Sequence, residues 1–234
     1  MARFKLLTYL SPAPRAGLLI NERVYDAAAA LAPAGLVDPG TTLGLLREWD
    51  KALPAIRAFT AAPTGESSAL ADVTLTIPIV YPPAFFCIAA NYYRHSREMN
   101  PARNVTREGK RPYFFLKSAE HTAIGPDAPI TLPPVSEKID WEIELAAVIG
   151  RPASQVSAED ALDYVAGYSI VNDLSARDLA RRDDWQFVSD WFGQKMFEGA
   201  MPFGPWITPA EDIADPQDLE MKLWVNDELQ QQSR

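Results

Sequence analysis

The stretch Ile139-Asp140-Trp141-Glu142-Ile143-Glu144-Leu145-Ala146-Ala147-Val148-Ile149-Gly150 alternates acidic and apolar residues and then becomes purely apolar. Successive side chains of a β-strand point to opposite faces, so the alternation predicts a strand with Asp140, Glu142 and Glu144 on one face. Neighbouring ionised carboxylates repel each other, and a divalent cation between them offsets that repulsion. The pattern therefore fits a metal site, and it also fits a half-buried antiparallel strand with a solvated acidic face.

Composition narrows the class of protein. The chain has 234 residues, of which 47% are hydrophobic, enough to bury a sizeable core. We find no apolar run long enough for a membrane span and expect a soluble, cytoplasmic protein with no membrane partner. A net charge of -9 argues against nucleic acid as a partner. The only cysteine, Cys87, lies in an apolar run, which indicates a buried thiol.

Two parts are predicted along the chain. Residues 61–68 have the composition of a linker, and several prolines follow them. We therefore predict a small N-terminal α+β domain over residues 1–75 and a larger catalytic domain over residues 76–234.

The N-terminal part alternates strand and helix patterns. We predict strands from Phe4 to Leu10 and from Gly17 to Tyr25, followed by a helix from about Thr42 to Phe59. Proline inside a helix removes a backbone donor, so Pro54 is expected to break or kink this helix.

A second functional segment follows the acidic strand. Residues 157–160 fit a capping box and predict a short helix over 161–166 that ends at Gly167. A strand over residues 168–173 then places Asp173 at a strand end, where functional side chains are common. The elements together indicate a strand-rich α+β fold.

Five groups of residues, taken together and in this order, resemble the fumarylacetoacetate hydrolase family. They are Asn91-Tyr92-Tyr93-Arg94-His95-Ser96-Arg97-Glu98, Phe115-Leu116-Lys117, Asp140-Trp141-Glu142-Ile143-Glu144-Leu145, Gly167-Tyr168 through Asn172-Asp173-Leu174-Ser175-Ala176-Arg177-Asp178, and Gly193-Gln194-Lys195 with Gly204-Pro205. The resemblance implies the family's mixed β-sheet fold for the C-terminal part. Residues 1–75 are similar to the small N-terminal domain of many bacterial members, which include acylpyruvate hydrolases and hydroxyhepta-diene-dioate isomerases.

The resemblance also implies a metal. It assigns Glu142, Glu144 and Asp173 as ligands of Mg²⁺ or Mn²⁺, with Ca²⁺ as an alternative. Asp140 matches no ligand position, so we interpret it as an acid that supports the ligands. Three carboxylates around a divalent ion leave a net charge near -1, so an anionic substrate needs nearby cations.

Cations and a tyrosine complete the implied site. Lys195 matches the family's active-site lysine and is assigned a catalytic role. Lys117, Arg177 and Tyr92 are assigned to substrate binding. The apolar neighbours of Lys117 and Lys195 draw both ammonium groups towards the interior, where each needs a partner.

A histidine and a glutamate form the predicted catalytic dyad. His95 and Glu98 are three residues apart, so they are neighbours on a helical turn, and a carboxylate raises the basicity of an imidazole. This is a general-base arrangement, and it coincides with a dyad of the family. The other histidine, His121, matches no family motif and receives no role.

Our leading hypothesis is metal-dependent hydrolysis of a carbon-carbon bond in a β-diketo acid of the acylpyruvate or fumarylpyruvate type, through an enolate. The same chemistry serves decarboxylation of oxaloacetate, tautomerisation of hydroxymuconate-type dienes and lyase reactions on related 2-oxo acids. A non-catalytic metal-binding module is the alternative outside enzymes. The expected partner is a small keto acid, and the resemblance implies a homodimer.

Two features depart from the family pattern. Ala180 occupies a place where the family often has a glutamine that touches substrate, so the substrate's identity is open. The chain stops at Arg234, before the family's C-terminal Thr-Gly-Thr-Pro segment, and we expect either a fragment or an incomplete site.

Overall fold

The protein is rich in β-structure. A computed structural model describes residues 3–92, 109–186 and 188–234. Its strands over those residues are β1 (Lys5–Leu10), β2 (Pro14–Ile20), β3 (Arg23–Asp26), β4 (Ser68–Ala69), β5 (Phe85–Ile88), β6 (Phe114–Lys117), β7 (Ala123–Ile124), β8 (Ile139–Asp140), β9 (Ile143–Ile149), β10 (Val165–Asn172), β11 (Ser175–Ala176), β12 (Met201–Pro209), β13 (Met221–Val225) and β14 (Glu228–Ser233).

Helices are short in the same residues. The α-helices are α1 (Ala27–Ala30), α2 (Thr42–Arg47), α3 (Trp49–Ala61), α4 (Ala119–Thr122) and α5 (Trp191–Lys195). Single 3₁₀ turns lie at Ala32–Ala34, Leu70–Asp72, Ala161–Tyr164, Arg177–Leu179 and Ala210–Asp212. The predicted strand-rich α+β class is confirmed.

One main sheet joins strands from residues 5–69 to strands from residues 123–209. Its order is β4-β3-β2-β1-β12-β10-β9 with antiparallel neighbours, and β7 pairs in parallel with β12. At the central junction Leu6 of β1 lies opposite Ile207 of β12, and both side chains are buried. Three two-stranded ribbons, β5-β6, β8-β11 and β13-β14, accompany the sheet.

The main hydrophobic core is shared along the chain. Buried residues from the first 75 positions, such as Leu18 and Ile56, belong to the same cluster as Val148 and Phe203. The division into domains at residue 75 stays a prediction, and both the sheet and the core run across that position.

The predicted strand from Gly17 to Tyr25 is wrong, because it is a hairpin of two strands. Ile20 pairs with Arg23, which leaves Asn21 and Glu22 as a two-residue turn. Both turn residues have positive φ, 49° and 61°, the conformation that a tight hairpin turn requires. Glutamate rarely adopts this conformation, so the sequence at Glu22 did not indicate a turn.

The predicted helix over residues 42–59 does break, but not at Pro54. The break is at Glu48, where φ is -116° and ψ is 33°, and Pro54 lies inside α3. The proline leaves the carbonyl of Asp50 without its helical donor. Asp50 is exposed, so water can satisfy that carbonyl.

The predicted helix over residues 161–166 is wrong as well. The capping contact exists, since the Ser157 hydroxyl accepts from the backbone N–H of Asp160 at 3.1 Å. Only a 3₁₀ turn follows, and β10 begins at Val165. Gly167 lies within β10, where a Cβ atom would lie 2.4 Å from the carbonyl oxygen of Thr208, so glycine permits close pairing with β12.

The acidic stretch is interrupted rather than continuous. Ile139 and Asp140 form β8 and pair with β11, whereas β9 begins at Ile143. Within the described residues, no helix has the length and apolar character needed to cross a bilayer.

Candidate active site

Pairing between β9 and β10 brings the predicted metal ligands together. Glu144 lies opposite Val171 in this register, two residues before Asp173. The backbone N–H of Asp173 donates to the carbonyl of Glu142 at 2.9 Å, and the side chain of Asn172 accepts from the N–H of Glu142 at 3.0 Å. The end of β10 is therefore tied to the start of β9, and this connection places the carboxylates.

Lys117 is a buried ion-pair partner of Asp173. Its side chain has no exposed surface, and Nζ donates to Oδ1 of Asp173 at 2.6 Å. Nζ also donates to the carbonyl of Ala200 at 2.8 Å. Burial lowers the pKa of Lys117 from its ordinary value, and the Asp173 carboxylate opposes that effect. These contacts make Lys117 an anchor for Asp173, and the substrate contact assigned to it from sequence stays a prediction.

Lys195 bridges two of the acids. Its Nζ donates to Oδ2 of Asp173 at 2.6 Å and to Oε2 of Glu142 at 2.9 Å. The side chain is only 3% exposed. Nζ also lies 5.3 Å from the centre of the Phe115 ring, within the range of a cation–π contact. The lysine predicted to be catalytic is thus in direct contact with two predicted ligands.

Arg177 forms ion pairs with an acid of β8 and an acid of the loop that follows it. Its Nε donates to Oδ2 of Asp140 at 2.7 Å, and its NH2 group donates to Oε1 of Glu142. The hydroxyl of Ser175 also donates to Oε1 of Glu142, at 3.1 Å. Arg177 therefore joins Asp140 to Glu142, and the supporting role of Asp140 stays a prediction. The assignment of Arg177 to substrate binding stays a prediction.

Glu144 has the least neutralised carboxylate of the three. Its Oε1 accepts from the Asn91 amide at 3.2 Å. Burial raises the pKa of Glu144 to about 7, and the negative charges of Asp173 and Glu142 add to the increase. Lys195 and the Asn91 hydrogen bond oppose the rise only in part. The cluster is therefore short of positive charge beside Glu144.

This donor set fits a hard divalent cation. The three side chains supply only carboxylate oxygens, the ligands that Mg²⁺ and Mn²⁺ prefer, and the raised pKa of Glu144 indicates where added positive charge is most favourable. No group of three or more His, Cys, Asp or Glu side chains is preassembled as a metal site within residues 3–92, 109–186 and 188–234. The Lys195 ammonium group lies between Glu142 and Asp173, and that of Lys117 contacts Asp173.

Tyr92 lies beside the site rather than in the acid cluster. Its hydroxyl accepts from the backbone N–H of Leu145 at 3.0 Å, and burial raises its pKa. Asn91 and Tyr92 also line a cavity of about 430 Å³ with Ala147, Tyr168 and Met221. This cavity is on the side of β9 that carries Leu145, and Asn91 connects it to Glu144.

The predicted dyad of His95 and Glu98 lies outside the described residues, and its roles stay predictions. His121 is exposed at the end of α4.

Three contacts of the site were not assigned from sequence. Asn91 binds Glu144, Ser175 binds Glu142, and Phe115 lies against Lys195. All three belong to the motif segments, so their positions were signalled, but their partners depend on pairings between distant parts of the chain.

A family model supports the resemblance. The model of the fumarylacetoacetate hydrolase C-terminal region matches residues 84–234, which contain every predicted site residue. The chain belongs to the fumarylacetoacetate hydrolase family.

Relatives in this family differ in activity. A human oxaloacetate tautomerase, the mitochondrial FAHD2B, is 37% identical over 163 residues, which are 69% of this chain and 49% of that protein. The structure of maleylpyruvate hydrolase from Sphingobium sp. SYK-6, in complex with manganese(II) and pyruvate, has a TM-score of 0.74 at 29% identity and covers 98% of this chain and 76% of its own.

An isomerase has a similar structure. The 5-carboxymethyl-2-hydroxymuconate delta-isomerase of Mycobacterium smegmatis has a TM-score of 0.70 at 29% identity, covering 98% of this chain and 75% of its own. The family's fold is therefore confirmed for this chain. The chain spans about half the length of these curated relatives.

We predict that Lys117→Met destabilises the protein strongly. It leaves the Asp173 carboxylate buried without its anchor, which costs about 3–5 kcal/mol in the free energy of unfolding. Urea unfolding measures the loss, and Lys110→Met, at an exposed position, is the control and should change the value by less than about 0.5 kcal/mol. A loss below about 1 kcal/mol in Lys117→Met contradicts the anchoring role.

The raised pKa of Glu144 predicts a pH dependence in metal chelator. The folded chain binds this proton more tightly than the unfolded chain, so the free energy of unfolding contributed by Glu144 falls as pH rises from about 4.5 to about 7. In Glu144→Gln this decline should be absent, whereas the exposed control Glu159→Gln should retain it. Urea unfolding across that pH range compares the three proteins, and equal slopes in all of them contradict the assignment.

Proposed function

We propose that this protein is a divalent-metal-dependent enzyme that acts on a small 2-oxo acid through its enolate, with hydrolysis of an acylpyruvate-type β-diketo acid as its reaction. The observation that carries the proposal is the buried cluster of Glu142, Asp173 and Lys195, with Glu144 beside it. A cluster of this kind combines ligands for a cation with an ammonium group that can meet an anionic substrate.

Mg²⁺ or Mn²⁺ is the proposed cofactor, held by Glu142, Glu144 and Asp173, with Ca²⁺ as the alternative. The maleylpyruvate hydrolase structure contains manganese(II) together with pyruvate, which supports both the metal and a pyruvate-like product. When bound, such an ion supplies Lewis-acid polarisation of a ketone and compensation of enolate charge.

The chain's own residues have separable roles in this proposal. Lys195 stabilises the developing oxyanion or protonates the enolate carbon, because its ammonium group contacts both Glu142 and Asp173. Lys117 positions Asp173, and Arg177 positions Glu142. Tyr92 holds the backbone of β9 beside Glu144 and can border the substrate.

Hydrolysis also needs a base for water. His95, oriented by Glu98, takes a proton from water as its oxygen bonds to the distal carbonyl carbon of the substrate. The bond between that carbon and the methylene carbon then breaks, and its electron pair passes into the pyruvate enolate. Protonation of the enolate completes the products, a carboxylic acid and pyruvate.

Oxaloacetate tautomerisation is the second candidate. It is favoured by the human tautomerase, which is 37% identical to this chain. This reaction moves one proton between carbon and oxygen, so it needs Lys195 as acid or base but no attacking water. Decarboxylation and lyase reactions use the same enolate and remain outcomes of the assay.

We also propose that the protein is a homodimer, as the family resemblance implies. The exposed face of the β5-β6 ribbon supports an interface, since Phe86, Phe114 and Leu116 are each more than half exposed. Sedimentation velocity measures the mass in solution, and a monomer at all concentrations tested contradicts the proposal.

Substrate assays separate the two candidate reactions. Loss of the enol absorbance of a simple acylpyruvate, with release of pyruvate, is expected in Mg²⁺ and not in excess chelator, and Glu142→Ala should abolish it. Oxaloacetate is assayed in parallel for enol–keto exchange and for pyruvate release. Enol–keto exchange of oxaloacetate without cleavage of the acylpyruvate would identify tautomerisation, and not hydrolysis, as the reaction. No turnover of either substrate by metal-loaded protein contradicts the proposed enzyme.

The proposed dyad predicts that a change at His95 lowers catalytic activity without lowering metal affinity. His95→Ala should lower kcat for acylpyruvate hydrolysis by about 10²–10⁴-fold with metal affinity unchanged, because it removes the base and no ligand. His121→Ala, which changes the only other histidine, is the matched control and should keep full activity. Full activity in His95→Ala removes it from the mechanism.

A further inference from the structure

We infer that Lys195 is a displaceable counter-ion: it occupies the metal-facing edge of Glu142 and Asp173 when no metal is bound, and an entering divalent cation exchanges with its ammonium group. The inference rests on the proposed metal site and adds a competition between two positive charges for the same two carboxylates.

The oxygens contacted by Lys195 carry the argument. Its Nζ is 2.6 Å from Oδ2 of Asp173 and 2.9 Å from Oε2 of Glu142, so one ammonium group joins the two carboxylates. These are two of the three proposed ligands. A divalent ion held by these two carboxylates would share their oxygens with Nζ, and two positive charges in a buried site repel each other strongly. Entry of the ion therefore favours departure of the ammonium group.

The other cations of the cluster bind different oxygens. Lys117 bonds Oδ1 of Asp173, and Arg177 bonds Oε1 of Glu142. Both can remain in place when Lys195 leaves, so each carboxylate keeps its orientation. The exchange thus involves one lysine and leaves the supporting contacts intact.

Lys195 spans two of the three proposed ligands, Glu142 and Asp173, and Glu144 is the third. The Glu144 carboxylate accepts its hydrogen bond from the neutral Asn91 amide, so this partner carries no charge that an incoming cation must displace.

An aromatic surface keeps the displaced ammonium group nearby. The Phe115 ring is 5.3 Å from Nζ and stacks on Trp191 with ring centres 4.9 Å apart. A ring face attracts a cation without supplying a charge that competes for the metal. Lys195 can therefore leave the carboxylates and stay within reach of a metal-bound anionic substrate.

Metal affinity tests the competition. In Lys195→Met the Kd for Mn²⁺, measured by isothermal titration calorimetry, should fall by about tenfold or more, because the metal no longer displaces an ion pair. Arg177→Met removes a positive charge from the same carboxylate, Glu142, but from the other oxygen, and should not tighten binding. Lys110→Met, an exposed change, should leave Kd unaltered. Equal tightening in Lys195→Met and Arg177→Met indicates general repulsion and overturns the exchange.

A crystal structure with Mn²⁺, located by its anomalous scattering, keeps the test independent of how the variants fold. The expected result has Mn²⁺ on Glu142, Glu144 and Asp173, with Nζ of Lys195 more than about 3.5 Å from both former partner oxygens. Mn²⁺ on those ligands with both lysine contacts retained overturns the exchange and leaves the proposed function standing. Mn²⁺ bound elsewhere or not at all overturns the metal site and the exchange together.

Discussion

Burial of the Asp173 and Glu142 carboxylates is the constraint on which this structure depends. Asp173 is 2% exposed, and an ionised carboxylate in such an environment loses several kcal/mol of hydration unless cations replace it. The cations come from distant segments, since Lys117 ends β6 and Lys195 ends α5. The chain must therefore bring β6, β10 and α5 together before the acids can be buried, and the site forms only with the fold.

The same interactions explain why the site can be both stable and reactive. Lys117 is fully enclosed and bonds two backbone carbonyls in addition to Asp173, so it is part of the framework. Lys195 contacts mainly carboxylate oxygens that a metal can also use. The two lysines that contact Asp173 therefore differ in their partners. Lys195, whose contacts a metal ion can replace, is the one suited to a catalytic role.

Local patterns identified candidate residues of the site, and they failed for some elements. The predicted alternation assumed one continuous strand, but the chain divides it into β8 and β9, with Glu142 between them. The hairpin at Asn21 and Glu22, the continuation of α3 through Pro54 and the strand position of Gly167 were missed. In each case tertiary pairing or exposure outweighed the local preference of one residue.

The sequence also did not reveal which side chains pair with each other in the site. Sequence indicated that Lys117 and Lys195 needed partners, but which carboxylate oxygen each one takes depends on register between β9 and β10 and on the placement of α5. The pairing of Asn91 with Glu144 joins residues 53 positions apart and has no local signal. Motif spacing identifies such residues, and only the folded chain connects them.

The central claim is that Glu142, Glu144 and Asp173 form one divalent-metal site. Equilibrium dialysis with Mn²⁺, followed by metal analysis of the protein, measures it most directly in the wild type and in Asp173→Asn. The account predicts about one Mn²⁺ per wild-type chain and loss of that ion in a folded Asp173→Asn variant. Equal Mn²⁺ binding by the two proteins contradicts it.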